Sequence, residues 1–120
     1  MIKKKAIKKY NYMKNTALIM ACGESKRFKL KSPKQYIEFF DDIILNHTIK
    51  IFLKNSAISH VLLVLNKKHK KYFKKIIRDK KVLHTYGGNT RQKSVFYGLK
   101  FIKKFEPINV LIHDANRPFT

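Results

Sequence analysis

The fold is decided by residues 16–23, which read TALIMACG. The first five residues are a short apolar run with the length of a buried β-strand. A polar stretch that contains glycine follows at once, as is typical of a loop that leaves the end of a strand. We therefore predict a buried strand at residues 16–20 with a loop directly behind it.

Outward from this stretch, the chain repeats the alternation of strand and helix. Further strands are predicted at residues 60–65, 82–86 and 109–113, and helices at residues 44–53, 67–77 and 91–105. This alternation predicts βαβ units, a mostly parallel sheet and an α/β fold of three layers. Ligands of such sheets bind beyond the carboxyl ends of the strands, so the loops after residues 20, 86 and 113 mark the candidate site.

Two of the predicted helices have apolar faces that should pack on the sheet. The inward residues of the second helix are Tyr72, Phe73, Ile76 and Ile77, and those of the third are Val95, Leu99 and Ile102. Both spacings follow the helical period.

Length and composition fit one compact domain. The chain has 120 residues, of which 44% are hydrophobic, which excludes wholesale disorder. One cysteine excludes an internal disulfide framework and a zinc site built on cysteine pairs. No apolar run is long enough to span a membrane. These features predict a soluble, reduced, cytoplasmic protein.

The charge of the chain is strongly positive. Lys and Arg number 28 against 7 Asp and Glu, a formal net charge of +21. Such a field attracts nucleic acid, nucleotides and anionic lipid alike. Only four of the basic residues are arginine and the lysines are spread along the chain, so we favour a lysine-rich surface over a nucleic-acid face. Residues 1–15 carry six lysines and are predicted to be a basic N-terminal arm.

The first loop, residues 21–28, leads to the segment Pro33-Lys34-Gln35-Tyr36. Small residues after a buried strand let a ligand approach the backbone, whose amide groups can hold phosphate. The loop matches neither a Walker A sequence nor Gly-x-Gly-x-x-Gly. Arg27 and Lys34 add two cations, which suits a polyphosphate.

The second loop, residues 87–94, reads GGNTRQKS. The paired Gly87 and Gly88 permit positive φ angles and a close backbone approach. Asn89 is the predicted N-cap of the following helix, with Gln92 completing a pattern like a capping box. A purely structural turn and a wall for a bound base or phosphate both fit this pattern.

The third loop, residues 113–118, reads HDANRP. Consecutive strand residues face opposite sides, so only one of His113 and Asp114 can point into a site. We favour Asp114, because a carboxylate at a strand end is a common place to hold Mg²⁺ on a nucleotide. His113 is expected to be packed or hydrogen-bonded.

Together the three loops resemble the family of 2-C-methyl-D-erythritol 4-phosphate cytidylyltransferase, an enzyme of the non-mevalonate isoprenoid pathway. The matching segments are residues 21–27 (ACGESKR), 33–36 (PKQY), 87–95 (GGNTRQKSV) with 98–99 (GL), and 113–118 (HDANRP). They stand in family order at near-family spacing. The resemblance covers residues 16–120, as the N-terminal part of a CTP-binding nucleotidyltransferase domain.

This resemblance implies a Rossmann-like nucleotidyltransferase fold that binds CTP and Mg²⁺. A sugar-alcohol phosphate would attack the α-phosphorus of CTP in line and release pyrophosphate. Arg27 and Lys34 would be catalytic by stabilising phosphate charge in the transition state, and Asp114 would bind Mg²⁺. The implied nucleotide-binding residues are Ala21, Cys22, Gly23, Glu24 and Ser25 at the triphosphate, Gly88, Asn89 and Ser94 at cytosine, Ala115 near the ribose, and Arg91 and Arg117 as organisers of the site.

The chain departs from the family pattern at single positions and in length. Cys22 stands where the family usually has Ala, Ser25 where it has Gly, and Asn89 where it often has Asp. Family enzymes run to about twice this length, and their second half supplies substrate-binding residues, more sheet and the arm that forms a homodimer. By this comparison the sequence looks truncated, and the dimerising arm is absent from it.

Three function classes remain open from the sequence. The first is the cytidylyltransferase, with ribitol 5-phosphate cytidylyltransferase as its near alternative. The second is a basic nucleic-acid-binding domain, which would bind any duplex in a steeply salt-dependent way. The third is an inactive fragment.

Overall fold

The computed structural model describes residues 14–24 and 32–117. The predicted basic arm, residues 1–15, lies outside the described residues except for Lys14 and Asn15, and it stays a prediction. Asn15 is the first residue of the first strand.

The described strands are β1 Asn15–Ala21, β2 Glu38–Phe39, β3 Asp42–Ile43, β4 His60–Leu65, β5 Val82–Tyr86 and β6 Asn109–Asp114. Four of them form one parallel sheet in the order β5-β4-β1-β6, which confirms the four predicted strands and their direction. The short antiparallel hairpin β2–β3 was not predicted, because strands of two residues are too short to show a period.

The order of the strands creates a switch point at the middle of the sheet. From β1 the chain moves outward through β4 to β5, and then returns to place β6 on the other side of β1. Connections that leave neighbouring strands in opposite directions open a crevice at their carboxyl ends. The loops after β1 and β6 therefore border a natural binding site.

In the segments that the structure describes, two α-helices cover the sheet. They are α1, Ile44–Leu53, and α2, Arg91–Lys103. α1 has the bounds predicted from the sequence, and α2 ends two residues earlier than predicted. Among the described residues, no helix is both long enough and apolar enough to cross a membrane.

Residues 67–77 do not form the predicted regular helix. A 3-10 helix spans Lys67–Lys75 and is interrupted at His69, whose φ and ψ are −100° and 20°. Lysines three and four positions apart would repel one another along an α-helix, which disfavours the regular form here. The predicted inward residues of this segment are confirmed, since all of them are partly buried against the core: Tyr72, Phe73, Ile76 and Ile77.

Alternate side chains of the central strands enter two separate cores. Ala17 and Ile19 of β1 pack with Leu45 and Ile49 of α1. Leu18, on the opposite face of the same strand, belongs to the cluster that contains Ile102 of α2. One helix on each side of the sheet gives the predicted three layers.

The face that α2 turns to the sheet differs from the prediction. Its buried residues are Ser94, Gly98 and Ile102, whereas the side chain of Leu99 is 39% exposed, so the inward placement of Leu99 was wrong. A Cβ at Gly98 would lie 2.8 Å from Cδ1 of Leu18 and 2.9 Å from Cγ2 of Val64. Only glycine lets the helix lie this close, and glycine carries no apolar signal for a periodicity search.

β6 is an edge strand with apolar residues on both faces. Within the described part of the chain β1 is its only neighbour, and Leu111 and Ile112 are 50% and 45% exposed. Apolar residues on both faces are typical of parallel strands that are covered on both sides. The exposure of these residues thus follows from the edge position of β6.

Candidate active site at the carboxyl edge of the sheet

A cleft of about 870 Å³ opens where the loops after β1, β4, β5 and β6 meet. This volume lies in the range of small-molecule sites. All three loops singled out from the sequence contribute to its wall, together with the turn that carries Lys34. The prediction that these loops converge at one edge is confirmed.

The first loop enters the cleft through Cys22, Gly23 and Glu24. Glu24 forms an ion pair of 3.5 Å with Lys68, which follows β4. Ala21 is buried and does not line the cleft, and its carbonyl accepts a hydrogen bond of 3.0 Å from Gln35. Ser25 and Arg27 lie outside the described residues, and their roles stay predictions.

The 3-10 helix Lys34–Tyr36 divides its side chains between the cleft and the core. Lys34 and Gln35 line the cleft, whereas Tyr36 is 2% exposed and its ring stacks on Tyr72 with the centroids 4.8 Å apart. Burial raises the pKa of the Tyr36 phenol above its ordinary value. Pro33, with its φ of −56°, precedes the turn. The buried ring of Tyr36 thereby anchors Lys34 at the wall of the cleft.

The glycines of the second loop are needed for space. Neither Gly87 nor Gly88 uses the positive φ that glycine permits. A Cβ at Gly88 would lie 2.7 Å from Cβ of Lys93. The fully buried Ser94 accepts a 3.0 Å hydrogen bond from the Gly88 N–H and donates one of 3.3 Å to the Gly88 carbonyl. The second loop is therefore held tightly against the start of α2.

The N-cap of α2 is Thr90, and its prediction as Asn89 was wrong by one residue. The Thr90 hydroxyl accepts a hydrogen bond of 3.1 Å from the N–H of Lys93. Threonine and asparagine are both good N-caps, so local sequence could not choose between them. Asn89 is exposed and lines the cleft.

Asp114, the last residue of β6, lies between two arginines. Its Oδ1 is 3.2 Å from Nη2 of Arg91 and its Oδ2 is 3.7 Å from Nε of Arg117. Arg91 is the first residue of α2, so this pair joins the second loop to the third. The N–H of the buried Ala115 donates a 2.9 Å hydrogen bond to the carbonyl of Met20, which joins the third loop to β1.

His113 has the packed position that the sequence predicted. Its ring lies 5.3 Å from that of Phe52 in α1, and its Nε2 donates a hydrogen bond of 2.8 Å to the carbonyl of Arg117. His113 thus helps to hold the third loop from the side of the sheet away from α2.

Positive charge dominates the described wall of the cleft. The cations are Lys34, Lys67, Lys68, Arg91 and Arg117, and the carboxylates are Glu24 and Asp114. A concave surface with this balance attracts polyphosphates.

Several lining residues were missed by the sequence analysis. They are Gln35, Asn66, Lys67, Lys68, Thr90 and Asn116. The available signal for Asn66 and the two lysines was their position directly after the predicted strand 60–65, at the same edge as the other loops. Gln35 lies inside the quoted segment PKQY, but only Lys34 was selected from it.

The donor set fits a metal ion that arrives with a nucleotide. Within residues 14–24 and 32–117, no three His, Cys, Asp or Glu side chains are placed together to hold a metal. Asp114 offers one carboxylate within the cleft. Mg²⁺ is commonly held by one or two carboxylates together with substrate phosphates, so a carboxylate at the position of Asp114 is compatible with such an ion.

A parallel sheet with a cation-lined cleft at its switch point places this chain in the class of doubly wound α/β proteins, which bind their ligands at that edge of the sheet. The crystal structure of 4-diphosphocytidyl-2C-methyl-D-erythritol synthase from Anaerococcus prevotii matches 93% of this chain and 47% of that chain, with a TM-score of 0.70 and 29% identity. The model of the family IspD, 2-C-methyl-D-erythritol 4-phosphate cytidylyltransferase, matches residues 15–120. The chain belongs to the IspD family.

Curated relatives agree with this membership. The bifunctional enzyme IspD/IspF of Wolbachia pipientis is 43% identical over 116 residues, which are 93% of this chain and 28% of the relative. The 2-C-methyl-D-erythritol 4-phosphate cytidylyltransferase of Wigglesworthia glossinidia brevipalpis is 37% identical over 109 residues, which are 90% of this chain and 47% of the relative. The chain thus spans less than half the length of these relatives. Neither the fold nor the relatives favour the ribitol 5-phosphate alternative.

Proposed function

We propose that this chain forms the CTP-binding part of an enzyme that transfers CMP from CTP to 2-C-methyl-D-erythritol 4-phosphate and releases pyrophosphate. The observation that carries the proposal is the convergence of the loops after β1, β5 and β6 on one cation-lined cleft, with Asp114 between Arg91 and Arg117. The names of the relatives support the choice of substrate.

The reaction is an in-line displacement at the α-phosphorus of CTP. A phosphate oxygen of methylerythritol phosphate forms the new P–O bond, and the bond from the α-phosphorus to the bridging oxygen breaks, so that pyrophosphate leaves. Catalysis of this type depends on positioning and on neutralising charge. Lys34, with Arg27 from the same loop, stabilises the negative charge that develops on the phosphates.

The other predicted site residues bind the nucleotide. The loop that contains Gly23 and Ser25 cradles the triphosphate. The Gly88 backbone, which Ser94 holds in place, and the side chain of Asn89 face the cytosine. Ala115 lies near the ribose.

Asp114 holds Mg²⁺ together with the phosphates, and the ion supplies Lewis-acid stabilisation of their charge when it is bound. Before the ion binds, Arg91 and Arg117 keep the carboxylate of Asp114 oriented, with one arginine beside each oxygen. The homodimer and the cytoplasmic location are further parts of this proposal and rest on the family alone.

The proposed function predicts selectivity for CTP. In thermal unfolding of the chain with Mg²⁺, CTP should raise the melting temperature more than ATP or GTP, because a pocket bordered by the second loop, which is held against α2, should accept a pyrimidine more readily than a purine. Ligand at a hundred times its Kd adds about 2.7 kcal/mol to the free energy of unfolding. Lys103→Ala, on the exposed side of α2, is the matched control and should keep the preference. Equal rises in the melting temperature with CTP, UTP, ATP and GTP would contradict a cytosine site.

A further inference from the structure

Four consecutive carbonyl groups at the end of β1 all accept hydrogen bonds from inside the protein. The carbonyl of Met20 accepts from the N–H of Ala115 at 2.9 Å. Those of Ala21 and Gly23 accept from Nε2 of Gln35 at 3.0 and 3.1 Å, and that of Cys22 accepts from Nδ2 of Asn66 at 3.1 Å. Three of these four bonds come from side-chain amides, which is unusual for a strand end.

Gln35 is built into this position. It is only 4% exposed, and it lies between Lys34, which lines the cleft, and the buried Tyr36. Both of its partners are carbonyl oxygens, so its NH₂ group must face them. One side chain thus fixes two carbonyls that are two residues apart in the first loop.

A carbonyl oxygen carries partial negative charge and repels phosphate. A free carbonyl that turned toward the ligand would therefore weaken anion binding. An amide donor on each oxygen offsets this charge and keeps the oxygen from turning.

We infer that Gln35 is a positioning residue for anion binding, which, together with Asn66, holds residues 21–23 of the first loop in the conformation that accepts a phosphate chain. This inference rests on the proposed function only in that the anion there is the triphosphate of CTP. The geometry itself requires only a phosphate chain.

Asn66 acts from the opposite side of the loop. Its Nδ2 reaches the Cys22 carbonyl while its Oδ1 accepts a 2.9 Å hydrogen bond from the N–H of Lys68 and so caps the 3-10 helix. The loop after β4 is thereby coupled to the loop after β1. Lys68, which pairs with Glu24, adds a second link between the same two segments.

The test compares Gln35→Met and Gln35→Glu, with inorganic pyrophosphate as the probe and calorimetry as the measurement. Met is similar to Gln in length but has no charge and no hydrogen-bond donor. The Gln35→Met variant should therefore bind pyrophosphate about tenfold more weakly than the wild type at about pH 8. The Gln35→Glu variant should bind pyrophosphate at least as weakly as Gln35→Met at this pH. At about pH 5 the protonated Glu regains one donor and should recover relative to Met, which should not. Circular dichroism checks that each variant is folded.

Gln92→Glu is the control for charge, because it makes the same substitution at an exposed position of α2 outside the cleft wall. It should bind pyrophosphate as the wild type does. If a folded Gln35→Met binds pyrophosphate with the wild-type Kd, the side chain has only a structural role and the inference is wrong. The same holds if Gln35→Glu shows no recovery relative to Gln35→Met at low pH.

A second measurement on the wild type covers the case in which the variants do not fold. In ¹⁵N NMR, the side-chain NH₂ of Gln35 should exchange slowly with water, and more slowly still with pyrophosphate bound. Fast exchange in both states would overturn the inference. Wild-type binding of pyrophosphate without any preference for CTP would leave the positioning role intact and would contradict only the proposed function. No binding of pyrophosphate at all would overturn the positioning role.

Discussion

Lys34 gains its proposed function from its neighbours along the chain. The buried Tyr36 fixes the turn from the core, and Gln35 fixes it from the loop after β1. A long, flexible lysine is thereby attached to a rigid base, which lowers the entropy lost when it meets a phosphate.

At the residue scale, Lys34→Ala should depress turnover of a full-length enzyme that contains this sequence by about a hundredfold to a thousandfold. The physical reason is the loss of charge stabilisation that is needed mainly in the transition state. Arg27→Ala and Asp114→Ala should have comparable effects. The measurement is steady-state pyrophosphate release from CTP and methylerythritol phosphate. A Lys34→Ala enzyme that performs like Lys103→Ala would remove Lys34 from the mechanism.

His69 should make stability depend on pH. Burial lowers the pKa of its imidazole, with Glu24 opposing and Lys68 and Lys71 adding to the shift. As the pH falls through the unfolded pKa of about 6.5, the unfolded chain takes up a proton that the folded chain does not, so the folded state loses stability. Stability from this source is therefore complete above that pH and declines below it.

The test of His69 is urea unfolding at about pH 7.5 and about pH 5.5. His69→Phe should keep the aromatic contacts with Tyr36 and Tyr72. On acidification, its free energy of unfolding should fall by up to about 1 kcal/mol less than that of the wild type. Tyr36→Phe alters the same cluster but leaves His69 in place, and it removes no group that titrates in this pH range. Its loss of stability on acidification should therefore equal that of the wild type. An unchanged pH dependence in His69→Phe would refute the assignment.

At the scale of elements, the start of α2 separates capping from binding. Thr90 caps the helix through Lys93, whereas Asn89 lines the cleft and is proposed to contact cytosine. The two neighbouring residues therefore contribute to different properties of the protein.

Thr90→Ala should lower the free energy of unfolding by about 1 kcal/mol, the usual value of an N-cap. Asn89→Ala should change it by less than about 0.5 kcal/mol, as is normal for exposed positions, and should instead weaken CTP binding. Chemical denaturation measures the first effect and calorimetric titration with CTP the second. The reverse pattern would restore Asn89 as the cap.

At the scale of the whole molecule, the net charge of +21 is a source of self-repulsion. Membership of the IspD family favours the cytidylyltransferase over the nucleic-acid-binding domain that this charge also allowed. The cleft accounts for only a few of the lysines, and the exposed ones of the 3-10 helix Lys67–Lys75, such as Lys70 and Lys74, lie outside its wall. Repulsion among such surface charges opposes the compact state and is screened by salt.

The melting temperature should therefore rise by several degrees between about 10 mM and about 300 mM NaCl, over which the Debye length falls severalfold. The double variant Lys70→Gln with Lys74→Gln should show a smaller rise, because it removes two charges from a dense cluster. Lys70→Arg with Lys74→Arg keeps the charge and should behave as the wild type. A melting temperature that falls with salt would mean that attractive pairs dominate.

The sequence by itself determined the layers of the fold and the place of the site. Strands buried on both faces must be apolar without interruption, so runs such as residues 16–20 and 60–65 are readable locally. Once the strands are known to be parallel, their carboxyl ends must share one edge, and the loops behind them must meet. The positions of Asp114 and the Gly87-Gly88 loop followed from that reasoning, whereas the role of Lys34 came from the family resemblance.

Only the tertiary structure decided which side chains do what at that edge. Gly98 rather than Leu99 faces the sheet because Leu18 and Val64 leave no room for a Cβ. Gln35 reaches the first loop across 14 and 12 positions of sequence, and Asn66 reaches it across 44. Contacts of this kind depend on distances between segments that are remote in the chain, and no local pattern records such distances.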